Sequence, residues 1–190
     1  MTFIDKIYTQ TYEIKQSKFI AYLTPYSKFQ QTLSKLKDEH PKARHFVTAY
    51  RYLNEFNQIV ESSSDDGEPK GTSGKPSLMV LQGSDMIECG VIIVRYFGGT
   101  KLGTGGLVRA YSEAVNMVIE SANLLEYKEM IEKKISIEYA NIRQIEYECE
   151  NLGVEITDKE FSTNPIYTLK APKDTMEQFL TKVDRLIYLL

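Results

Sequence analysis

Residues 88–123 read ECGVIIVRYFGGTKLGTGGLVRAYSEAVNMVIESAN, and the organisation of the whole chain follows from them. Val91, Ile92, Ile93 and Val94 form a β-branched run that predicts a buried strand. A turn follows that holds Gly98, Gly99, Gly103, Gly105 and Gly106. Leu107, Tyr111, Ala114, Val118 and Ala122 then recur at helical spacing and lay down one apolar stripe. Strand, glycine turn and helix in this order aim free backbone N–H groups, and the positive end of a helix dipole, at an anion. Arg95, Lys101 and Arg109 lie in or beside the turn, and no acid occurs between Glu88 and Glu113. These three cations and the five glycines are the candidate anion- or nucleic-acid-binding residues. The same glycines would also serve tight turning and close helix–strand packing with nothing bound.

Two nucleotide motifs fail at residues whose chemistry they require. Gly98-x4-Gly103 is followed by Thr104, so the phosphate-reaching Lys of a P-loop is missing. A dinucleotide fingerprint begun at Gly103 meets Val108 where its third glycine belongs.

Upstream, SSSDDGEPKGTSGKP (residues 62–76) carries glycine and proline through most of its length and predicts a long loop. Loops of this length in compact domains are more often functional than merely connecting. Asp65, Asp66 and Glu68 are candidate hard-metal ligands, but their spacing does not match an EF-hand. Solvated acids are the plainer reading. A third is that they pair with Arg95, Lys101 or Arg109 and hold the two loops together. Residues 12–24 predict one strand, and Ser27 with Gln30 predicts a capped helix ending at His40-Pro41. Arg44–Leu53 alternates as a strand, with Gln58–Ser62 returning as its hairpin partner. Past Asn123 the order is β-α-β-β-α-β, a ferredoxin-like split unit, with Asn141 as a helix cap and Gly153 as a helix stop. Two domains are therefore expected, 1–126 and 131–190.

Composition is that of a soluble globular protein, 42% hydrophobic and 26% charged. No apolar run reaches membrane-spanning length, and residues 1–20 lack the layout of a signal peptide. Cys89 and Cys149 are far apart and form no Cys-x-x-Cys pair, which suits a reducing cytoplasm. The net charge of −3 is unevenly split, +1 over residues 1–125 and −4 over 126–190, so a polyanion is better hosted by the first part. His40 reads as a solvated helix end and His45 as a hydrogen-bonded structural residue. No His-Glu-x-x-His, Gly-x-Ser-x-Gly or cysteine cluster occurs, so zinc and serine hydrolase readings have no support and no catalytic residue is assigned.

Asp65-Asp66-Gly67-Glu68-Pro69, Gly71-Thr72, Gly74, Arg95-Tyr96-Phe97-Gly98-Gly99, Leu102-Gly103 and the run from Gly105 to Tyr111 together resemble the signature of the YigZ/IMPACT family. The resemblance covers about Ser17 to Asn123. It implies an α+β protein: a two-layer α/β first domain like domain 2 of ribosomal protein S5, then a ferredoxin-like domain like the C-terminal domain of elongation factor G. Eukaryotic relatives act in translational control through protein contacts, while bacterial members have no settled biochemical activity. The expectation is a non-enzymatic cytoplasmic factor that binds RNA or the ribosome, in translation or its regulation, without a cofactor. Asp65, Asp66, Glu68 and Thr72 are loop residues that would contribute to the site. One alternative is an enzyme or binder of a phosphorylated small molecule on the same turn, with Mg²⁺ on the loop acids. Another is a protein-interaction module of the translation machinery using the negative C-terminal part.

Overall fold

A computed structural model describes residues 1–190. The chain divides into two units, Met1–Tyr127 and Lys128–Leu190. The first holds β1 (Thr2–Phe3), β2 (Tyr8–Ile14), β3 (Ser17–Pro25), α1 (Phe29–Glu39), β4 (His45–Leu53), β5 (Ile59–Ser64), α2 (Gly74–Gly83), β6 (Cys89–Tyr96), α3 (Gly103–Glu120) and β7 (Leu125–Glu126). Five strands form one antiparallel sheet in the order β2-β3-β6-β4-β5. β1 pairs with β7 and ties the two ends of the unit together.

The β-branched run makes β6 the central strand, and its alternate residues feed opposite faces. Val91 and Ile93 pack with Phe19, Ala21, Leu23 and the α3 stripe of Leu107, Tyr111, Ala114 and Val118. Ile92 and Val94 pack with Phe29 and Leu36 of α1. Sheet and α2/α3 are the two expected layers, and α1 adds a third on the opposite face.

Residues 12–24 are not one strand. Lys15 (φ 46°) and Gln16 (φ 64°) both adopt left-handed backbone and turn β2 into β3. Neither is a glycine or asparagine, so no turn signal was present. Ser27 makes no capping bond; a 3₁₀ turn, Tyr26–Lys28, leads into α1 instead. His40 is no solvated end residue: its Nε2 lies 3.2 Å from the Tyr22 hydroxyl and its Nδ1 2.9 Å from that of Tyr96.

The second unit runs β8 (Met130–Ile137), α4 (Ile142–Leu152), β9 (Glu155–Glu160), β10 (Ile166–Pro172), α5 (Lys173–Val183) and β11 (Ile187–Leu189). Its antiparallel order, β11-β8-β10-β9, is that of the ferredoxin-like unit. Ile135, Ile145, Cys149, Leu169 and Phe179 lie at its core. Gly153 closes α4 in the left-handed region (φ 72°), as expected. Asn141 occupies the N-cap of that helix, as expected, but its side chain makes no capping bond; its amide donates to the Leu186 carbonyl (3.4 Å). No helix is long and apolar enough to cross a membrane.

Candidate functional site

Arg95 stands one residue before the end of β6 and is 7% exposed, so its charge needs a partner inside the protein. Glu68 supplies it. Its Oε1 accepts from Arg95 Nη1 and, at 2.8 Å, from the Tyr111 hydroxyl on α3. The guanidinium lies over the rings of Phe19 (5.4 Å) and Phe97 (5.9 Å). Burial, and then Glu68, raise the Tyr111 pKa, so it stays a hydroxyl donor. One acid of the long loop thus clamps β6 and α3 together, and Arg95 serves this ion pair rather than acting as a free cation.

The other loop acids are also committed. Asp65 accepts the N–H groups of Gly71 (2.7 Å), Ser73 (3.1 Å) and Gly74 (2.8 Å), and the Ser73 hydroxyl (2.7 Å). Burial would raise its pKa, but these four donors outweigh burial and hold the carboxyl below its ordinary value. Since α2 begins at Gly74, Asp65 is the anion on that helix's N-terminus. Asp66 accepts Phe46 N–H at 2.6 Å on its carboxylate and His45 Nδ1–H at 2.8 Å on its carbonyl. Thr72 donates to the Pro69 carbonyl (2.6 Å) and shapes the loop. The three carboxylates face three separate sets of donors, and no group of three ligating side chains converges to hold a metal ion. Each carboxylate that the Mg²⁺ alternative would use is already engaged by donors of the protein itself.

The start of α3 differs. Leu102 occupies its N-cap and no side chain caps it, while Gly103, Thr104 and Gly105 are exposed. A cavity of about 370 Å³ opens at this helix end, lined by Glu68, Pro69, Arg95, Phe97, Lys101, Leu102, Gly103, Thr104 and Leu107. Lys101 is exposed at its edge. Arg109 is exposed but lies outside the lining, so the three cations do not converge on one point. Helical geometry explains this: residue 109 is six positions beyond Gly103 and points to another side of α3.

The glycines serve different ends. A Cβ on Gly98 would lie 2.0 Å from the Gln16 carbonyl carbon, so the turn is pressed against the β2–β3 hairpin, where Ser17 Oγ accepts Gly98 N–H (3.1 Å). Gly105 is the reverse: a Cβ there would meet nothing within 4 Å, and its φ is not left-handed. Tight turning and close packing, the plainer reading of these glycines, therefore do not account for Gly105.

A second cavity, about 350 Å³, borders the first and shares Arg95 and Phe97 with it. Lys42, Arg44, His45 and Tyr96 complete its lining. Lys42, Arg44 and His45 are not among the residues that the sequence singles out as site candidates. Antiparallel pairing of β4 with β6 sets His45 opposite Arg95, a register that leaves no local mark on the sequence.

A sheet whose central strand delivers a buried arginine to a glycine turn, followed by a ferredoxin-like unit, defines a two-unit α+β class. The Impact N-terminal domain model matches residues 15–119. An IMPACT family member of Haemophilus influenzae is 38% identical over 177 residues, covering 90% of this chain and 84% of its own. YigZ of Escherichia coli, also an IMPACT family member, is 32% identical over 174 residues, covering 90% and 85%. A crystal structure of a hypothetical protein superposes with a TM-score of 0.71 at 30% identity, over all of this chain and 95% of the other. The chain belongs to the IMPACT family.

Proposed function

We propose that this protein binds RNA or the ribosome through the α3 N-terminus and the Gly98–Lys101 turn, in translation or its regulation. Gly105 is the observation that carries the reading. A glycine in a helix costs roughly 1 kcal/mol relative to alanine, and neither backbone strain nor a close neighbour accounts for it here. It keeps the N–H groups of the first turn open to something outside the chain. With Lys101 beside them, the chemistry suits a phosphate.

The cavity also favours a second reading. Its volume and its walls of Pro69, Phe97, Leu102 and Leu107 suit a phosphorylated small molecule. Salt separates the two, because contacts to several phosphates weaken steeply with log salt and one cradled phosphate only shallowly. The test is a filter-binding salt titration on mixed cellular RNA with wild type, Gly105→Ala and Lys101→Glu. Steep salt dependence in the wild type and weaker binding by both variants are expected. An absence of wild-type binding at low salt would overturn the RNA reading.

A further inference from the structure

Phe97 stands where the two cavities meet. It lines both, is 57% exposed, and has the Arg95 guanidinium beneath its ring. What sets Phe97 apart from the more exposed Phe56 and Phe161 is its place between these two cavities. On one side lies Lys101 with the open start of α3; on the other lie Lys42 and Arg44, both exposed. No carboxylate lines the second cavity, and Asp66, which holds the His45 ring, has turned its own carboxylate to Phe46 N–H. In the first cavity the Glu68 carboxylate is neutralised by Arg95. The result is an aromatic face between two cation-lined hollows.

Resting on the RNA reading above, we infer that Lys42, Arg44 and Phe97 form a second subsite and that the site takes single-stranded RNA rather than duplex. Phosphates lie in the hollow of Lys42 and Arg44 and in that of Lys101 and α3, and a base between them stacks on Phe97. Bases of a duplex are already stacked on one another and offer no face to a side chain, whereas those of a single strand do. His45 positions the subsite: its Nδ1–H is held by the Asp66 carbonyl, so the long loop braces the second hollow as Glu68 braces the first.

The test is fluorescence anisotropy with a labelled RNA strand of about 12 nucleotides, alone and annealed to its complement. The full chain is compared with Phe97→Ala, Lys42→Ala and Arg44→Ala, all changes of exposed side chains. The single strand should bind at least tenfold tighter than the duplex. Phe97→Ala should weaken single-strand binding by about tenfold with the salt slope unchanged. Lys42→Ala and Arg44→Ala should each lower that slope by about 0.7. Equal binding of duplex and single strand, or wild-type binding by all three variants, overturns the inference. If Gly105→Ala and Lys101→Glu still weaken binding in that case, the proposed function stands without it. If wild type binds neither RNA, both fall.

Discussion

Helices α2 and α3 both begin at a glycine after a glycine-rich loop, yet their N-termini are finished in opposite ways. At α2 the anion comes from within: Asp65 takes the N–H groups of Ser73 and Gly74, and a Cβ on Gly74 would lie 2.7 Å from the Ser64 backbone. At α3 no side chain caps the helix, and Gly105 faces open space. The first start is sealed by packing and charge; the second is open to solvent. Glycine and a helix dipole therefore do not define a site until the protein's own anions have been accounted for.

The sharpest way to break this contrast is to remove the clamp between the two loops. Glu68→Ala should destabilise the first unit by about 3–5 kcal/mol, because it strands a buried Arg95 without its counter-charge. Urea unfolding followed by circular dichroism measures it, and a loss under 1 kcal/mol would mean that the clamp is not structural. Asp65→Ala comes next, at about 2 kcal/mol, the upper end for a lost helix cap. The Asp65 pKa is lowered on folding, so its stabilisation is present above the unfolded value of about 3.9 and is lost as pH falls through the folded value. Asp65→Asn should flatten that acid limb of the stability–pH curve, and an unchanged curve would refute the capping role.

Gly105→Ala should act in the other direction, raising stability by roughly 0.5–1 kcal/mol while weakening RNA binding. A destabilised Gly105→Ala would show that this start, too, is sealed. Lys101→Ala should have the smallest effect on the fold, within about 0.5 kcal/mol. It should lower the salt slope of RNA binding by about 0.7 to 1, read in the same filter assay.

Elements with a strong period are legible in the sequence alone: β6 from its β-branched run, α3 from its stripe, the ferredoxin-like order from the alternating periods past Asn123. Left-handed residues without glycine are not. Lys15 and Gln16 turn a hairpin that no dipeptide signal announced. Ser27 does not cap α1, and Asn141 stands at the N-cap of α4 without a capping bond, because a capping motif states what a side chain is able to bond, and tertiary partners decide what it does bond.

By itself, the sequence determined two units, the strand–turn–helix at residues 88–123 and the absence of acids across it, since periodicity and composition are local properties of a chain. It also offered the loop acids as partners for the turn's cations. Only the tertiary structure decided that Glu68 takes Arg95, that Asp65 is spent on α2, and that Arg109 lies away from Lys101. It alone brought residues 42–45 beside Phe97, by pairing β4 with β6. Which charges neutralise one another and which remain free depends on distance and burial, and those are set by strand register and packing across long separations in the chain.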